Sequence, residues 1–130
     1  MDIEMELSRI IIRETAEEQI IVLKERLGER TFPIVIGTTE AMAIDRRLKG
    51  VILPRPLTHD LVYNIIEQMG GTLERIVIND LREHTFFAVL IIKANDKLLE
   101  IDSRPSDAIA LGIFNQTPIF VAEHVLETVC

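Results

Sequence analysis

The sequence predicts an α+β domain with a mostly antiparallel mixed sheet, in the order βββ-α-α-βββ-α-β, with the helices packed on the sheet. Apolar and polar residues alternate at the start of the chain, as in strands with one buried face. An apolar stripe at helical spacing, within Leu61–Met69, comes after the first group of strands. Strands that cluster before helices favour an α+β arrangement over a parallel sheet.

The first three strands are predicted to form an antiparallel meander. Residues 2–12 alternate before ending in consecutive isoleucines, and a turn follows over Glu14–Glu18. A second β-branched run, Ile20–Lys24, is joined to a third strand, Phe32–Ile36, by turn residues around Gly28.

Two helices are predicted after the meander. Thr38 is expected to cap the first, which continues to Leu48 and is stopped by Gly50. An extended connector, Val51–Pro56, precedes Thr58, which is expected to cap the second helix. The apolar stripe of the second helix consists of Leu61, Val62, Ile65, Ile66 and Met69.

The second half of the chain again places strands before a helix. Leu73–Ile78 and Phe86–Ile92 are predicted strands around a turn at Asn79–His84, and Lys97–Ile101 is a third, shorter strand. The remaining predicted elements are a helix from Ser103 to about Phe114, a short strand Pro118–Val121 and a final helical turn Glu123–Val129.

The composition predicts one folded domain spanning residues 1–130. Hydrophobic residues make up 48% of the chain and the mean hydropathy is +0.24, which excludes a disordered tail. No run approaches the roughly 18 apolar residues of a membrane span, so no membrane partner is expected. The single cysteine, Cys130, forms no disulfide within the chain, and the acidic start differs from a basic signal peptide. We therefore expect a cytoplasmic protein.

The net charge of −7 argues against a broad electrostatic contact with nucleic acid. One basic patch is the exception, because it contains no acid. Such a patch fits phosphate contacts, and it also fits an ordinary helix end, where cations are favoured. The patch consists of Arg46, Arg47, Lys49 and Arg55.

The start of the third predicted helix collects charged residues. Arg104 precedes Pro105, so it is expected to be the cap, with the proline as the first helical residue. Asp107 would then lie in the first turn, where a carboxylate meets the positive end of the helix dipole. Asp102 has no role in such a cap. We therefore hypothesise that the carboxylates of Asp102 and Asp107 point into the same space.

Adjacent carboxylates repel each other unless a proton, an arginine or a hard cation lies between them. Mg²⁺ or Mn²⁺ held by Asp102 and Asp107, with Arg104 on a phosphate oxygen, would suit metal-assisted phosphodiester hydrolysis. An internal Arg104–Asp102 salt bridge explains the same residues without catalysis. His59 and Asp60 are a candidate base and acid, or ordinary first-turn positions of a helix.

Four segments also match the pattern of a known family. They are Arg55–Leu61, Thr85–Ala88, Ile101–Leu111 and Pro118–Val121, and the most specific is the Asp-Ser-Arg-Pro-Ser-Asp-Ala core within the third. Together they resemble the bifunctional nuclease domain family over nearly the whole chain. The resemblance implies DNase and RNase activity, DNA or RNA as partner, and a homodimer or other homo-oligomer. The residues it implies for the site are Asp102, Arg104, Ser106 and Asp107, with Arg55, His59 and Asp60 as a second cluster.

The resulting hypothesis is a metal-dependent nuclease. Its catalytic residues would be Asp102, Arg104, Asp107, His59 and Asp60, and its substrate-binding residues Arg55, Arg104 and Ser106. One alternative is a non-catalytic oligomeric or regulatory module, which the acidity and the lack of an aromatic stacking platform favour. The other is a binder of a small anionic ligand at the helix start.

Overall fold

The computed structural model describes residues 1–130 and confirms the α+β class, with one seven-stranded mixed sheet and four helices. None of the helices is both long and apolar enough to span a membrane. The strands are β1 Asp2–Ile11, β2 Glu18–Glu25, β3 Thr31–Gly37, β4 Gly71–Arg82, β5 Thr85–Ala94, β6 Lys97–Ser103 and β7 Ile119–Ala122. The helices are α1 Thr38–Leu48, α2 Thr58–Gln68, α3 Pro105–Gly112, a short 3₁₀ helix Ile113–Asn115, and α4 Glu123–Val129.

The sheet has the strand order β3-β2-β1-β7-β4-β5-β6. The predicted meander of β1, β2 and β3 is confirmed, and β4, β5 and β6 form a second one. The short strand β7 lies between the two meanders, antiparallel to β1 and parallel to β4. It therefore joins the two halves of the chain into one continuous sheet.

The core lies on the face of the sheet that packs against the helices. Alternate residues of β2 and β3, such as Ile21 and Phe32, are buried there, while Val35 on the other face is exposed. The core continues through Ile76 of β4 to α3, which is almost entirely apolar and buries seven of its eight residues. The exception in α3 is Asp107, so the folding of the core leaves one carboxylate of this helix partly exposed.

The β4–β5 hairpin is longer than the sequence predicted. Residues 79–82 belong to β4, and the turn consists only of Glu83 and His84 instead of Asn79–His84. Both turn residues have positive φ angles, +48° and +66°, and such a tight turn matches the twist of the two strands. The predicted turn was therefore too long, because polar residues such as Asn79 and Arg82 suit exposed positions of a strand as well as a loop.

The boundary between β6 and α3 also differs from the prediction. β6 extends beyond Ile101, because Asp102 pairs with Val89 and Ser103 pairs with Ala88. The helix begins at Pro105, not Ser103, with Arg104 as its N-cap as expected. It ends at Gly112, before Phe114. The consequence for the site is that Asp102 is part of a strand.

The two predicted threonine caps are the first residues of their helices, and Gly37 and Leu57 are the N-caps. The Thr38 hydroxyl donates instead to the Glu17 carbonyl at 2.9 Å, which ties α1 to the preceding hairpin. In α2 the capping role passes to Asp60, whose carboxylate accepts a hydrogen bond from the Leu57 N–H at 2.9 Å.

Gln19 is a buried polar residue whose amide fixes the turn before β2. Its Oε1 accepts from the Arg13 N–H at 2.6 Å, and its Nε2 donates to the carbonyls of Arg13 and Ala16.

We predict that Gln19→Leu lowers the free energy of unfolding by about 1–3 kcal/mol, because these backbone groups lose their partner. Chemical denaturation measures this loss. The control Gln68→Leu, which changes an exposed glutamine without a hydrogen bond, should cause little change; equal stabilities of the two variants would contradict the prediction.

Candidate active site

Both carboxylate oxygens of Asp107 accept hydrogen bonds from side chains. Oδ1 lies 3.0 Å from Nε2 of His59, at the start of α2, and Oδ2 accepts from Nε of Arg104 at 2.9 Å. Partial burial raises the pKa of Asp107, but the hydrogen bonds from His59 and Arg104 outweigh it and leave the pKa below its ordinary value. Asp107 is therefore held as a carboxylate, and it links α2 to α3.

Arg104 extends this arrangement to the first helix. Its Nη2 lies 2.9 Å from Oδ2 of Asp107 and 3.0 Å from Oε1 of Glu40 in α1. The hydrogen bond to Asp107 raises the pKa of Arg104, and the charge of Glu40 adds to this effect. The Glu40 side chain is only 12% exposed, whereas that of Arg104 is 68% exposed. We call Glu40, Arg104, Asp107 and His59 the four-residue cluster; its guanidinium faces solvent.

His59 has the geometry of an oriented base. Its side chain is 16% exposed, and Nε2 is directed at the Asp107 carboxylate. A neutral imidazole in this contact donates from Nε2–H, which leaves Nδ1 as a proton acceptor. The pairing of His59 with Asp107 joins residues from the two predicted clusters that lie 48 positions apart.

Asp60 is directed away from the four-residue cluster. One oxygen pairs with Arg47 of α1, whose side chain is 10% exposed, and the other accepts from the Leu57 N–H. Both oxygens are thus engaged in holding the start of α2 against α1. The structure gives Asp60 a positioning contact and does not bring it to Asp107.

Asp102 and Asp107 are not brought together. Residues directly opposite in an antiparallel pair share a face, so Asp102 lies on the face of Val89, while Ala88 and Leu90 on either side belong to the core. That core face is the one on which α3 packs. Asp102 makes no hydrogen bond or ion pair, and the predicted Arg104–Asp102 salt bridge does not form.

The acidic residues do not fit the predicted cation. The carboxylates of Asp102 and Asp107 lie on opposite faces of the sheet, and both oxygens of Asp107 already accept hydrogen bonds. No group of three or more histidine, cysteine, aspartate or glutamate side chains is arranged to hold a metal ion. The Asp102–Asp107 pair is therefore not a preformed binding site for Mg²⁺ or Mn²⁺.

The predicted substrate-binding residues occupy different surroundings. Ser106 is 6% exposed and lines a cleft between the start of α3 and the free edge of β3, where its hydroxyl makes no hydrogen bond. Arg104 lines the same cleft. Arg55 lies in the exposed connector before α2 and makes no ion pair.

The basic patch is partly neutralised. Arg47 pairs with Asp60 and Lys49 pairs with Asp45, so Arg46 and Arg55 are the two members without an ion pair. Arg46 and His59 line a second cleft, together with apolar side chains of the connector and Phe114. The Phe114 ring is 60% exposed and lies 5.7 Å from the Arg47 guanidinium. This cleft offers a cation and an aromatic surface beside His59.

The ion pairs of Glu40 and Arg47 were not predicted from the sequence. Each has a sufficient local explanation, since Glu40 lies in the first turn of α1 and Arg47 in its last. Their partners are Arg104, the N-cap of α3, and Asp60 of α2, so only the packing of the helices reveals these ion pairs.

The fold and these side chains define a small α+β domain with a histidine–carboxylate–arginine cluster beside a basic and apolar cleft. A family model for the bifunctional nuclease domain matches residues 21–130. An uncharacterized protein of Mycobacterium tuberculosis is 40% identical over 117 residues, which cover 90% of this chain and 70% of that protein. The chain belongs to the bifunctional nuclease domain family, which confirms the resemblance.

Two rice proteins with nuclease names are more distant relatives. Bifunctional nuclease 1 of Oryza sativa subsp. japonica is 25% identical over 118 residues, covering 88% of this chain and 36% of the rice protein. Bifunctional nuclease 2 of the same subspecies is 29% identical over 114 residues, covering 85% and 35%. The chain thus spans about a third of each rice protein.

The lowered pKa of Asp107 predicts how acid affects stability. The folded-state pKa lies below the ordinary value of 3.8, so the unfolded chain binds more protons in the interval between the two values. The stabilisation from Asp107 is therefore complete above that ordinary value and is lost as the pH falls through the folded-state pKa. We expect the difference in unfolding free energy between the unaltered protein and Asp107→Asn to shrink on acidification.

Denaturant unfolding between pH 7 and pH 2, a range that covers the interval below 3.8, measures this difference. The control is Asp96→Asn, in the exposed β5–β6 turn, where the aspartate makes no ion pair. This variant should differ little in stability from the unaltered protein, because the substitution removes no hydrogen bond or ion pair of Asp96. A pH-independent effect of Asp107→Asn would refute the account.

Proposed function

We propose that this domain hydrolyses phosphodiester bonds of DNA or RNA, with His59, Asp107 and Arg104 at the reacting phosphate. The hydrogen bond between His59 and Asp107, with the Arg104 guanidinium on the same carboxylate, carries the proposal. Membership of the bifunctional nuclease domain family supports it, and the rice relatives carry nuclease names.

The proposed reaction uses the two imidazole nitrogens of His59 differently. The Nε2–H group keeps its hydrogen bond to Asp107. Nδ1 accepts a proton from a water molecule as the water oxygen attacks phosphorus. The bond from phosphorus to the leaving sugar oxygen breaks, and the imidazolium returns its proton to that oxygen. Asp107 keeps the ring oriented and stabilises its positive charge, as a carboxylate does in other histidine-dependent hydrolases.

Arg104 is proposed to bind the phosphate. Its exposed guanidinium is anchored through Nε and Nη2 by Asp107 and Glu40, which leaves Nη1 to donate hydrogen bonds to a phosphate oxygen. The free Ser106 hydroxyl at the first turn of α3 is a second donor for the anion, beside the positive end of the helix dipole. The proposed phosphate-binding residues are therefore Arg104 and Ser106, which were predicted from the sequence. Arg55 and a cation held by Asp102 and Asp107 are not part of this proposal.

The cleft beside His59 is proposed to hold the rest of the nucleotide. Arg46 supplies a cation for a neighbouring phosphate, and the exposed Phe114 ring supplies a surface on which a base can stack. Stacking does not distinguish deoxyribose from ribose, so such a surface would suit the proposed activity on both nucleic acids. Dependence on Mg²⁺ or Mn²⁺, and a cytoplasmic location, stay predictions from the sequence.

The second candidate is a purely structural role for the cluster. All charged groups of the cluster are already paired within the chain, and they join α1, α2 and α3. A regulatory or oligomeric module would need no more than this. The two candidates differ in one respect: catalysis requires the free nitrogen of His59, whereas a structural role requires only the hydrogen bond to Asp107.

A nuclease assay with matched variants separates the two candidates. We expect His59→Gln to keep a hydrogen-bond donor near Asp107 but to lower cleavage about 10²- to 10⁴-fold, since the base is lost. Asp107→Asn should also lower cleavage. Asp102→Asn, on the opposite face of the sheet, is the control and should change it less than about twofold.

The substrates are purified single-stranded DNA, double-stranded DNA and RNA, each with Mg²⁺, with Mn²⁺ and with a chelator. Circular dichroism verifies that every variant is folded. Equal cleavage by His59→Gln and the unaltered protein, or no cleavage by either, would overturn the proposed reaction. A loss confined to Asp102→Asn would instead move the chemistry to the other face of the sheet.

A further inference from the structure

Two separate clefts adjoin the four-residue cluster. The first, beside His59, also contains Arg46 and Phe114. The second, beside Arg104, lies between the start of α3, the free edge of β3 and the β4–β5 turn. We call them the His59 cleft and the Arg104 cleft. No residue lines both of them, and the hydrogen bonds of Asp107 to His59 and Arg104 run between them. A phosphate bound at the cluster therefore has one cleft on each side.

Each cleft has room for one nucleoside. The volumes are about 230 Å³ for the His59 cleft and about 340 Å³ for the Arg104 cleft. Both lie near or below the lower end of the range of small-molecule sites, roughly 300–1,000 Å³. Each cleft contains one exposed ring, Phe114 in the first and the imidazole of His84 in the second. Unstacked bases pack on rings of both kinds. Each cleft therefore suits a single base and not a base pair.

The Arg104 cleft contains polar groups that suit a base beside the phosphate. Glu18 lines this cleft, and its exposed carboxylate repels a phosphate but accepts a hydrogen bond from an amino group of a base. β3 is an edge strand, so the backbone groups that do not pair with β2 are free to contact a base edge. Arg104 and Ser106, at the start of α3, supply the donors for the phosphate itself.

The separation of the clefts excludes two stacked bases. Successive bases of one strand in a duplex lie about 3.4 Å apart. His59 and Arg104 are separated by the whole carboxylate of Asp107 and by two hydrogen bonds, of 3.0 and 2.9 Å. Neighbouring bases can therefore occupy both clefts only when they are unstacked. This costs less in a single strand than in a duplex, where base pairs must also open.

The charge of the surface also disfavours a duplex. A duplex presents two phosphate backbones and is bound through clustered cations. The chain has a net charge of −7, and two of the four cations of its basic patch are paired with carboxylates. A single strand that runs from one cleft to the other needs only the phosphate contacts of Arg104 and Arg46.

We propose, on the basis of the function proposed above, that the substrate is an unpaired stretch of nucleic acid that is cleaved internally. The two nucleosides that flank the reacting phosphate occupy different clefts, one on Phe114 and the other on His84. Hydrolysis of a bond held from both sides gives two shorter strands and requires no strand end. Loops and single-stranded segments are therefore cleaved, whereas paired stems are not.

The test measures cleavage by the unaltered protein of a nucleic-acid hairpin with a long loop, a circular single-stranded DNA and a closed circular duplex. We expect cleavage sites confined to the loop and cleavage of the single-stranded circle. Cleavage of the duplex should be slower by at least about 100-fold, because its bases must first unpair and unstack. Equal cleavage of loop and stem, or degradation of linear strands while the circle stays intact, would overturn the inference and leave the proposed hydrolysis standing.

His84→Asn tests the Arg104 cleft. Asparagine tolerates the positive φ of +66° at this position, so the variant removes the ring without straining the turn. We expect the KM for single-stranded substrates to rise about 5- to 100-fold with kcat nearly unchanged, since a base loses its stacking surface away from the reacting atoms. The control His124→Asn removes an exposed imidazole outside both clefts and should leave KM unchanged. An unchanged KM in His84→Asn would overturn the role of this cleft.

A binding measurement separates this inference from the proposed hydrolysis. Fluorescence anisotropy compares labelled single-stranded and duplex oligonucleotides, with a chelator for the unaltered protein and with Mg²⁺ for His59→Gln. Tighter binding of the single strand that is weakened by His84→Asn, without cleavage of any substrate, would support the two clefts and refute the hydrolysis. Equal binding of both forms, or binding of neither under both conditions, would overturn the inference.

Discussion

The carboxylate of Asp107 is the point at which three helices meet. It accepts hydrogen bonds from His59 of α2 and from Arg104, which also contacts Glu40 of α1. The helix that carries it is fixed by burial of all its other residues, so the position of Asp107 follows from the core. The start of α2, by contrast, is held by polar contacts, because α2 buries no residue. The same hydrogen bonds therefore position α2 and orient the imidazole proposed to act on substrate.

The sheet decides which acidic residues can act together. β6 continues to Ser103, and its register places Asp102 on the face opposite α3. Asp102 and Asp107 are five positions apart in the sequence, but they lie on opposite faces of the sheet. His59 and Asp107 are far apart in the sequence, but they are in contact. The chemistry open to the cluster is that of a histidine–carboxylate pair with an arginine, rather than that of two carboxylates around a cation.

The elements were largely predictable, because they depend on local signals. Alternation identified the first strand, and runs of apolar or β-branched residues identified the later ones. The Arg104–Pro105 pair predicted Arg104 as the N-cap of α3, although the helix had also been predicted to begin at Ser103. The position of Asp102 was not predictable, since the end of a strand is a weak signal and a shift of one residue changes the face of a side chain. The contacts of Glu40 and Arg47 depend on how helices distant in the sequence pack together. Thr38 and Thr58 are residues of a type that suits an N-cap. The Thr38 hydroxyl instead donates to the Glu17 carbonyl, and at the start of α2 the carboxylate of Asp60 accepts the capping hydrogen bond.

The tautomer of His59 tests the central claim most directly. The proposed reaction requires that Nε2 carries the proton and donates a hydrogen bond to Asp107, and that Nδ1 is free to accept a proton. ¹⁵N-resolved NMR spectra of the imidazole in the unaltered protein distinguish the two nitrogens. We predict a protonated Nε2 in the neutral ring, and loss of this preference in Asp107→Asn. A neutral ring with its proton on Nδ1 would contradict both the proposed orientation of His59 and its proposed role as the base.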